Sequence, residues 1–117
     1  MAQVPLYDYA SGVTGLRELL SREPALDGIF AASDAVAAGA LEALREAGWP
    51  VPTEVGVVGF DDSSWARRTQ PPLSTVHQPA NDIGCRAADL VLRQLRGETI
   101  EPGGVILPTP IVWRDSA

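Results

Sequence analysis

Apolar residues recur along this chain with two different spacings, and the alternation between them spells out helices and strands in turn. Val13, Leu16, Leu19 and Leu20 repeat at the interval of one helix face, with Arg17, Glu18, Ser21 and Arg22 on the other side. Ser11 is placed to cap the start of this helix and Pro24 to stop it. Gly28 to Ala32 is a short apolar run of strand length. After Ser33-Asp34 a second helical pattern follows at Val36, Ala37, Ala40, Leu41 and Leu44, ended by Gly48 and Pro50. Val55 to Phe60 is continuous and β-branched, the pattern of a strand covered on both faces. Strand, helix and strand between Gly28 and Phe60 match the size of a βαβ crossover, which predicts an α/β fold.

Beyond Phe60 the pattern turns irregular through Trp65, Arg67, Arg68 and the Pro71-Pro72 pair, ending in a short strand candidate at Ser74 to His77. A third helix is predicted from about Pro79 to Arg96, with Ile83, Ala87, Leu90, Val91 and Leu95 apolar and Gly97 at its end. The tail offers two extended pieces, Val105 to Leu107 and Ile111 to Trp113, separated by Pro108 and Pro110. Proline there suits a sheet edge, because it cannot donate to a ladder on both sides.

A chain of 117 residues has room for one compact domain and one core. Its 45% hydrophobic and 21% charged content is that of an ordinary globular protein. No apolar run is long enough to span a bilayer, and the start lacks the basic and apolar regions of a secretory signal, so a cytoplasmic site is expected if Met1 is a natural start. A formal net charge of -6 argues against this segment gripping a phosphate backbone. Any contact with DNA is then made elsewhere. The lone Cys85 can form no internal disulfide, and one thiol with one histidine makes no structural zinc site.

Asp61 and Asp62 stand directly after a strand, at the end of a parallel sheet where ligands are commonly held. A carboxylate there can accept two hydrogen bonds from sugar hydroxyls or one from a ring N–H. The plainer alternative is that Asp-Asp-Ser-Ser makes a polar turn. A metal centre built on both carboxylates and Asp34 lacks the lysine that phosphoryl-transfer receiver sites use, since all nine basic residues are arginine. Asp34 is expected to cap the second helix, which leaves Ser33 as the better binding candidate. Tyr7 can stack on a ligand ring or pack on its own loop. His77 has no carboxylate-plus-nucleophile pattern around it and suits a polar loop role. No nucleophile with a base partner can be named, so an enzyme is not expected, and no cofactor is implied.

The fragments occur in an order that resembles the effector-binding domain of lactose-repressor (LacI) family transcription regulators, the group that also holds purine-repressor-like proteins. They are Tyr7 before Ser11-Gly12, "DGIFAASD", the small-residue run Ala37 to Leu41, "GWPVP", "VVGFDD", "PPLSTV", "QP", "LP" and a terminal "VWR". The resemblance runs from about Tyr7 to Arg114. It implies a periplasmic-binding-protein-like lobe, a mostly parallel sheet flanked by helices in three layers. Residues 1–117 would be one domain, the C-terminal part of the effector-binding and dimerisation region, without the DNA-binding headpiece and the first lobe.

The resemblance further implies a regulator that senses a small molecule, a sugar by preference and a purine as the second choice, and pairs as a homodimer. Asp61 would hold the effector, Tyr7 would stack on it, Ser33 would touch it and Gln78 would lie at the hinge side of the cleft. Ala38, Glu42, Arg45, Trp65 and Arg68 would resemble the subunit interface. A solute-binding protein of a transport system, or a stand-alone interaction module, is the alternative function. With no first lobe to pack on, the third helix is expected to bury Ile83, Ala87, Leu90 and Val91 by rearranged packing within the chain or against another copy.

Overall fold

The computed structural model describes residues 1–3, 5–100 and 103–117. In chain order the elements are α1 (Tyr9–Arg22), β1 (Gly28–Phe30), α2 (Asp34–Ala47), β2 (Gly56–Asp61), β3 (Ser74–His77), α3 (Ala80–Leu95) and β4 (Ile111–Val112). They fall into two compact units, residues 1–77 with 111–117, and residues 78–110. In the first unit the four strands form one sheet in the order β1-β2-β3-β4. The first three run parallel, and β4 joins β3 antiparallel, with Val76 opposite Ile111. The predicted α/β crossover from β1 through α2 to β2 is therefore present, and β4 takes the edge position its flanking prolines suit.

Helix α1 begins earlier than its apolar pattern suggests. The cap is Asp8, whose carboxylate accepts from the Ser11 N–H at 2.8 Å, so Ser11 is buried inside the first turn instead of capping it. A carboxylate is as good a cap as a hydroxyl and also meets the positive end of the helix. Helix α2 ends as expected: Gly48 takes a left-handed φ of 77° and its N–H reaches the carbonyls of Leu44 and Arg45.

Leu16, Leu41, Leu44, Val55, Val57 and Leu73 lie at the centre of one continuous core, between the packed pair α1–α2 and the sheet. Burial alternates along β2, with Val57 and Gly59 inward and Val58 and Phe60 half-covered, where the apolar run predicts cover on both faces. The reason is that the α1–α2 pair covers the inward face only, so the side chains on the other face keep part of their surface in solvent.

The two helices touch backbone to backbone. A Cβ on Gly39 would run into the carbonyl oxygen of Tyr9, and one on Gly12 into that of Val36. Because the obstacle is main chain, it cannot swing away. Gly39→Ala is expected to push α1 off α2 and cost about 1–3 kcal/mol, read as a lower urea midpoint. An unchanged midpoint would show that the crossing is looser than described.

The second unit holds α3, which starts at Pro79 without a side-chain cap and contains no buried residue. Ile83, Val91, Leu92 and Leu95 are all exposed, Leu95 by 78%. Residues 105–107 form no strand, since a chain interrupted by Pro108 and Pro110 has no ladder partner to hold it extended. Among the described residues no helix is long and apolar enough to cross a membrane.

Candidate functional site

Parallel pairing brings the C-terminal ends of β1, β2 and β3 to one edge of the sheet, and with them Ser33, Asp61, Asp62 and His77. At that edge the chain leaves β2 through two consecutive left-handed residues, Asp61 at φ 115° and Asp62 at φ 55°. Neither is glycine, and such conformations cost on the order of 1–3 kcal/mol each and persist only where the surroundings over-determine them. The surroundings here are a hydrogen-bond network.

Asp34 is at its centre. Its carboxylate is fully buried, accepts from the Ser63 N–H at 2.6 Å and from the Thr75 hydroxyl at 2.5 Å, and so ties the start of α2 to β3 and to the loop after β2. This corrects the expectation that Asp34 caps its helix. The cap is Ser33, whose hydroxyl accepts from the Val36 N–H at 3.3 Å. Gly59 makes room for the arrangement: a Cβ there would stand 2.5 Å from Asp34 Oδ1 and 2.8 Å from Leu73.

Asp62 is held from two sides. Arg114 donates to its Oδ1 at 2.7 Å, and the His77 ring nitrogen Nδ1 lies 3.1 Å from its Oδ2. His77 thus has a carboxylate partner that no local pattern in the sequence reveals. Burial opposes the charge on Asp62 most strongly, but the hydrogen bonds from Arg114 and His77 together outweigh it and hold the group below its ordinary value.

Asp61 is pushed the other way. Desolvation raises its pKa first and the neighbouring Asp34 charge second, against a lowering contribution from the Asp34 backbone N–H. Among the described residues no ion pair involves Asp61. Two adjacent carboxylates therefore play different parts, Asp62 being paired with Arg114 and Asp61 having no cation beside it. A partly desolvated carboxylate without a cation is suited to hydroxyl or ring N–H donors. No group of His, Cys, Asp and Glu side chains among the described residues could hold a metal ion.

Of the other site candidates, Tyr7 stands just before α1 and is 71% exposed. Ser33 is buried, with its hydroxyl engaged in the cap. Gln78 opens the second unit, where its carbonyl accepts from the Ala80 N–H at 2.8 Å.

Ala38, Glu42, Arg45, Trp65 and Arg68 all line one groove of about 210 Å³ beside α2. Ala38 is its floor, buried rather than outward-facing, because the side chains of its neighbours rise past a single methyl group. Trp65 stacks on Tyr9 with ring centroids 5.8 Å apart, and Arg45 forks onto Glu42 at 2.6 and 2.9 Å.

Arg114 and the buried role of Asp34 were not read from the sequence. The only signals available were the terminal "VWR" and an aspartate at a helix start, and neither specifies a partner dozens of residues away.

The chain matches the periplasmic-binding-protein-like domain family over residues 3–117. It is 44% identical to the HTH-type transcriptional regulator CelR of Thermobifida fusca, over 94% of this chain and 32% of that protein. A solved transcriptional regulator CelR–cellobiose complex superposes with a TM-score of 0.89 at 44% identity, covering 94% of this chain and 34% of that one. The lac repressor dimer bound to operator and an anti-inducer superposes with a TM-score of 0.86 at 28% identity, covering 93% and 38%. The chain thus spans about a third of the length of these relatives. Sequence, sheet order and these likenesses agree: the chain belongs to the periplasmic-binding-protein-like domain family, in the form carried by LacI-type transcription regulators.

Proposed function

We propose that this chain is the effector-sensing and dimerisation part of a LacI-type transcription regulator and that its effector is a sugar. The observation that carries this reading is Asp61, a carboxylate in no ion pair among the described residues, held at a positive φ where three parallel strands end. A carboxylate accepting from two vicinal hydroxyls is the standard way to orient a polyol. The cellobiose named in the complex of a 44% identical relative supports the same ligand class. Tyr7 supplies an apolar face for a sugar ring, and Ser33 supplies a polar contact. The relatives named above are transcription regulators, which supports a site that binds without reacting.

The groove beside α2 is the face through which two copies pair, with Trp65 as the aromatic anchor and Arg45 and Arg68 at its rim. The lac repressor relative is described as a dimer on operator, which supports pairing as such. Contact with DNA falls to a headpiece outside this acidic stretch, and the protein works in the cytoplasm, where its operator is.

Calorimetric titration of the full-length protein with cellobiose, ribose and hypoxanthine tests the ligand class, and sedimentation equilibrium of the same preparation tests pairing. Saturable binding of a sugar by a dimer is the expected result. Binding of hypoxanthine alone would turn the reading to a purine effector. A folded monomer that binds none of the three would overturn it.

A further inference from the structure

The tail of the chain reaches back to the candidate site through one side chain. Arg114 follows β4, and its main chain is clasped by Ser74: the Arg114 N–H donates to Ser74 Oγ at 2.8 Å, and that hydroxyl donates to the Arg114 carbonyl at 3.1 Å. One guanidinium nitrogen donates to the Leu73 carbonyl at 2.8 Å, the other to Asp62 Oδ1 at 2.7 Å. The side chains of the Arg114–Asp62 pair are only 16% and 11% exposed. With its backbone fixed and its first bond made to Leu73, just before β3, the guanidinium has little freedom in where its second bond goes. Such a fork fixes direction as well as distance.

Asp62 is thereby pinned at several points. Arg114 and His77 hold its carboxylate, and its own N–H points to the Thr75 hydroxyl at 3.4 Å. Only Phe60 and Asp61 lie between this anchor and Gly59, the last buried position of β2, and both aspartates sit at positive φ. A backbone held in that region relaxes toward ordinary conformations once its restraints are removed. The pairing also settles which of the two neighbouring carboxylates has a cation beside it, Asp62, and leaves Asp61 without one.

We propose that Arg114 is a positioning residue for the effector site: through Asp62 it holds the Asp61 backbone and carboxylate in the orientation that receives the ligand. This rests on the reading that Asp61 takes the effector. Arg114 itself need not touch the ligand. Its effect is transmitted by the Asp61-Asp62 peptide.

The test has a ligand-free arm and a binding arm. In the full chain, three-bond NMR couplings are expected to show Asp61 in one χ1 rotamer with a positive φ. Arg114→Met averages both, and Arg114→Lys, which keeps the charge, restores them in part. In the binding arm, calorimetry with cellobiose is expected to show an affinity loss of about tenfold for Arg114→Met, the size set by one charge-assisted hydrogen bond. In an Asp61→Asn background the same change costs nothing further, because the two residues act as one unit. A merely structural role would lower the melting temperature and leave the Asp61 couplings of the folded protein unchanged.

Asp61 couplings that stay as in the parent in Arg114→Met overturn the proposal, whatever happens to stability. Should that variant not fold, Asp62→Asn is measured instead, and the same unchanged couplings overturn it. If Asp61→Asn keeps the parent's sugar affinity while Arg114→Met loosens Asp61, the clamp stands and the binding role of Asp61 falls.

Discussion

Asp61→Ala is expected to lower sugar affinity in the full-length protein by about 10- to 100-fold, the equivalent of one hydrogen-bonded charge lost from the site. The variant should fold normally. The parent aspartate carries a raised pKa because burial and the Asp34 charge both disfavour its ionised form. A group of this kind contributes stability below its unfolded value near 3.8 that is lost as pH rises through the higher folded value. Removing it therefore relieves a penalty at neutral pH, and weaker binding cannot be blamed on a weaker fold.

The same shift sets the pH dependence of binding. Sugar hydroxyls donate to the ionised carboxylate, so protonation competes with the ligand. Affinity is expected to fall on acidification while the pH is still above the ordinary carboxylate value, with a flat profile in Asp61→Ala. Calorimetry across that range checks both statements. Parent-like affinity in Asp61→Ala would remove the basis for placing the effector at this sheet edge.

Asp34→Ala is expected to be the most destabilising single change in the first unit, at about 3–5 kcal/mol. Its carboxylate is the shared acceptor for the Ser63 N–H and the Thr75 hydroxyl, and it is fully buried. Alanine leaves both donors without a partner where water has little access, and it opens a void under Gly59. A loss of that size is a large part of the 5–15 kcal/mol that holds a domain together. Urea denaturation followed by circular dichroism measures it. A loss below about 1 kcal/mol would show that the network is not what restrains the Asp61-Asp62 turn. Asp34→Asn is expected to lie between the two, because the amide keeps one acceptor oxygen but turns a second donor toward a donor.

The elements that could be read in advance are those whose evidence is local. The spacing of Val36, Ala37, Ala40, Leu41 and Leu44, with Gly48 behind them, marks α2 to the residue at its C-terminal end, because helix periodicity and a left-handed glycine act within a few positions. Ser74 to His77 is a strand in both readings. The start of α1 was less legible, since Asp8 and Ser11 are both competent caps and only the packing of Ser11 under α2 separates them. Cover on the second face of β2 was overread, because a run of β-branched residues reports what a strand tolerates and not what packs on it.

At the site, the Asp61-Asp62 pair was visible as acidic residues after a strand, and the division of roles between them was not. That division comes from Arg114, 52 positions further along the chain, and from His77, 15 positions away. Asp34 and Ser33 exchanged their expected roles for a similar reason. Either side chain can cap a helix, and what decides is that Thr75 and Ser63 arrive from β3 and the loop after β2 to claim the carboxylate.

By itself the order of residues determined the α/β class, the crossover, the family likeness and the place where a ligand would be sought, since all of these rest on short-range periodicity and on motifs in a fixed order. Tertiary structure alone decided which carboxylate is free, which is neutralised and which is buried as a strut. Hydrogen bonds and ion pairs act over a few ångströms in space with no regard to separation along the chain, so their partners exist only once the sheet has brought the strand ends together.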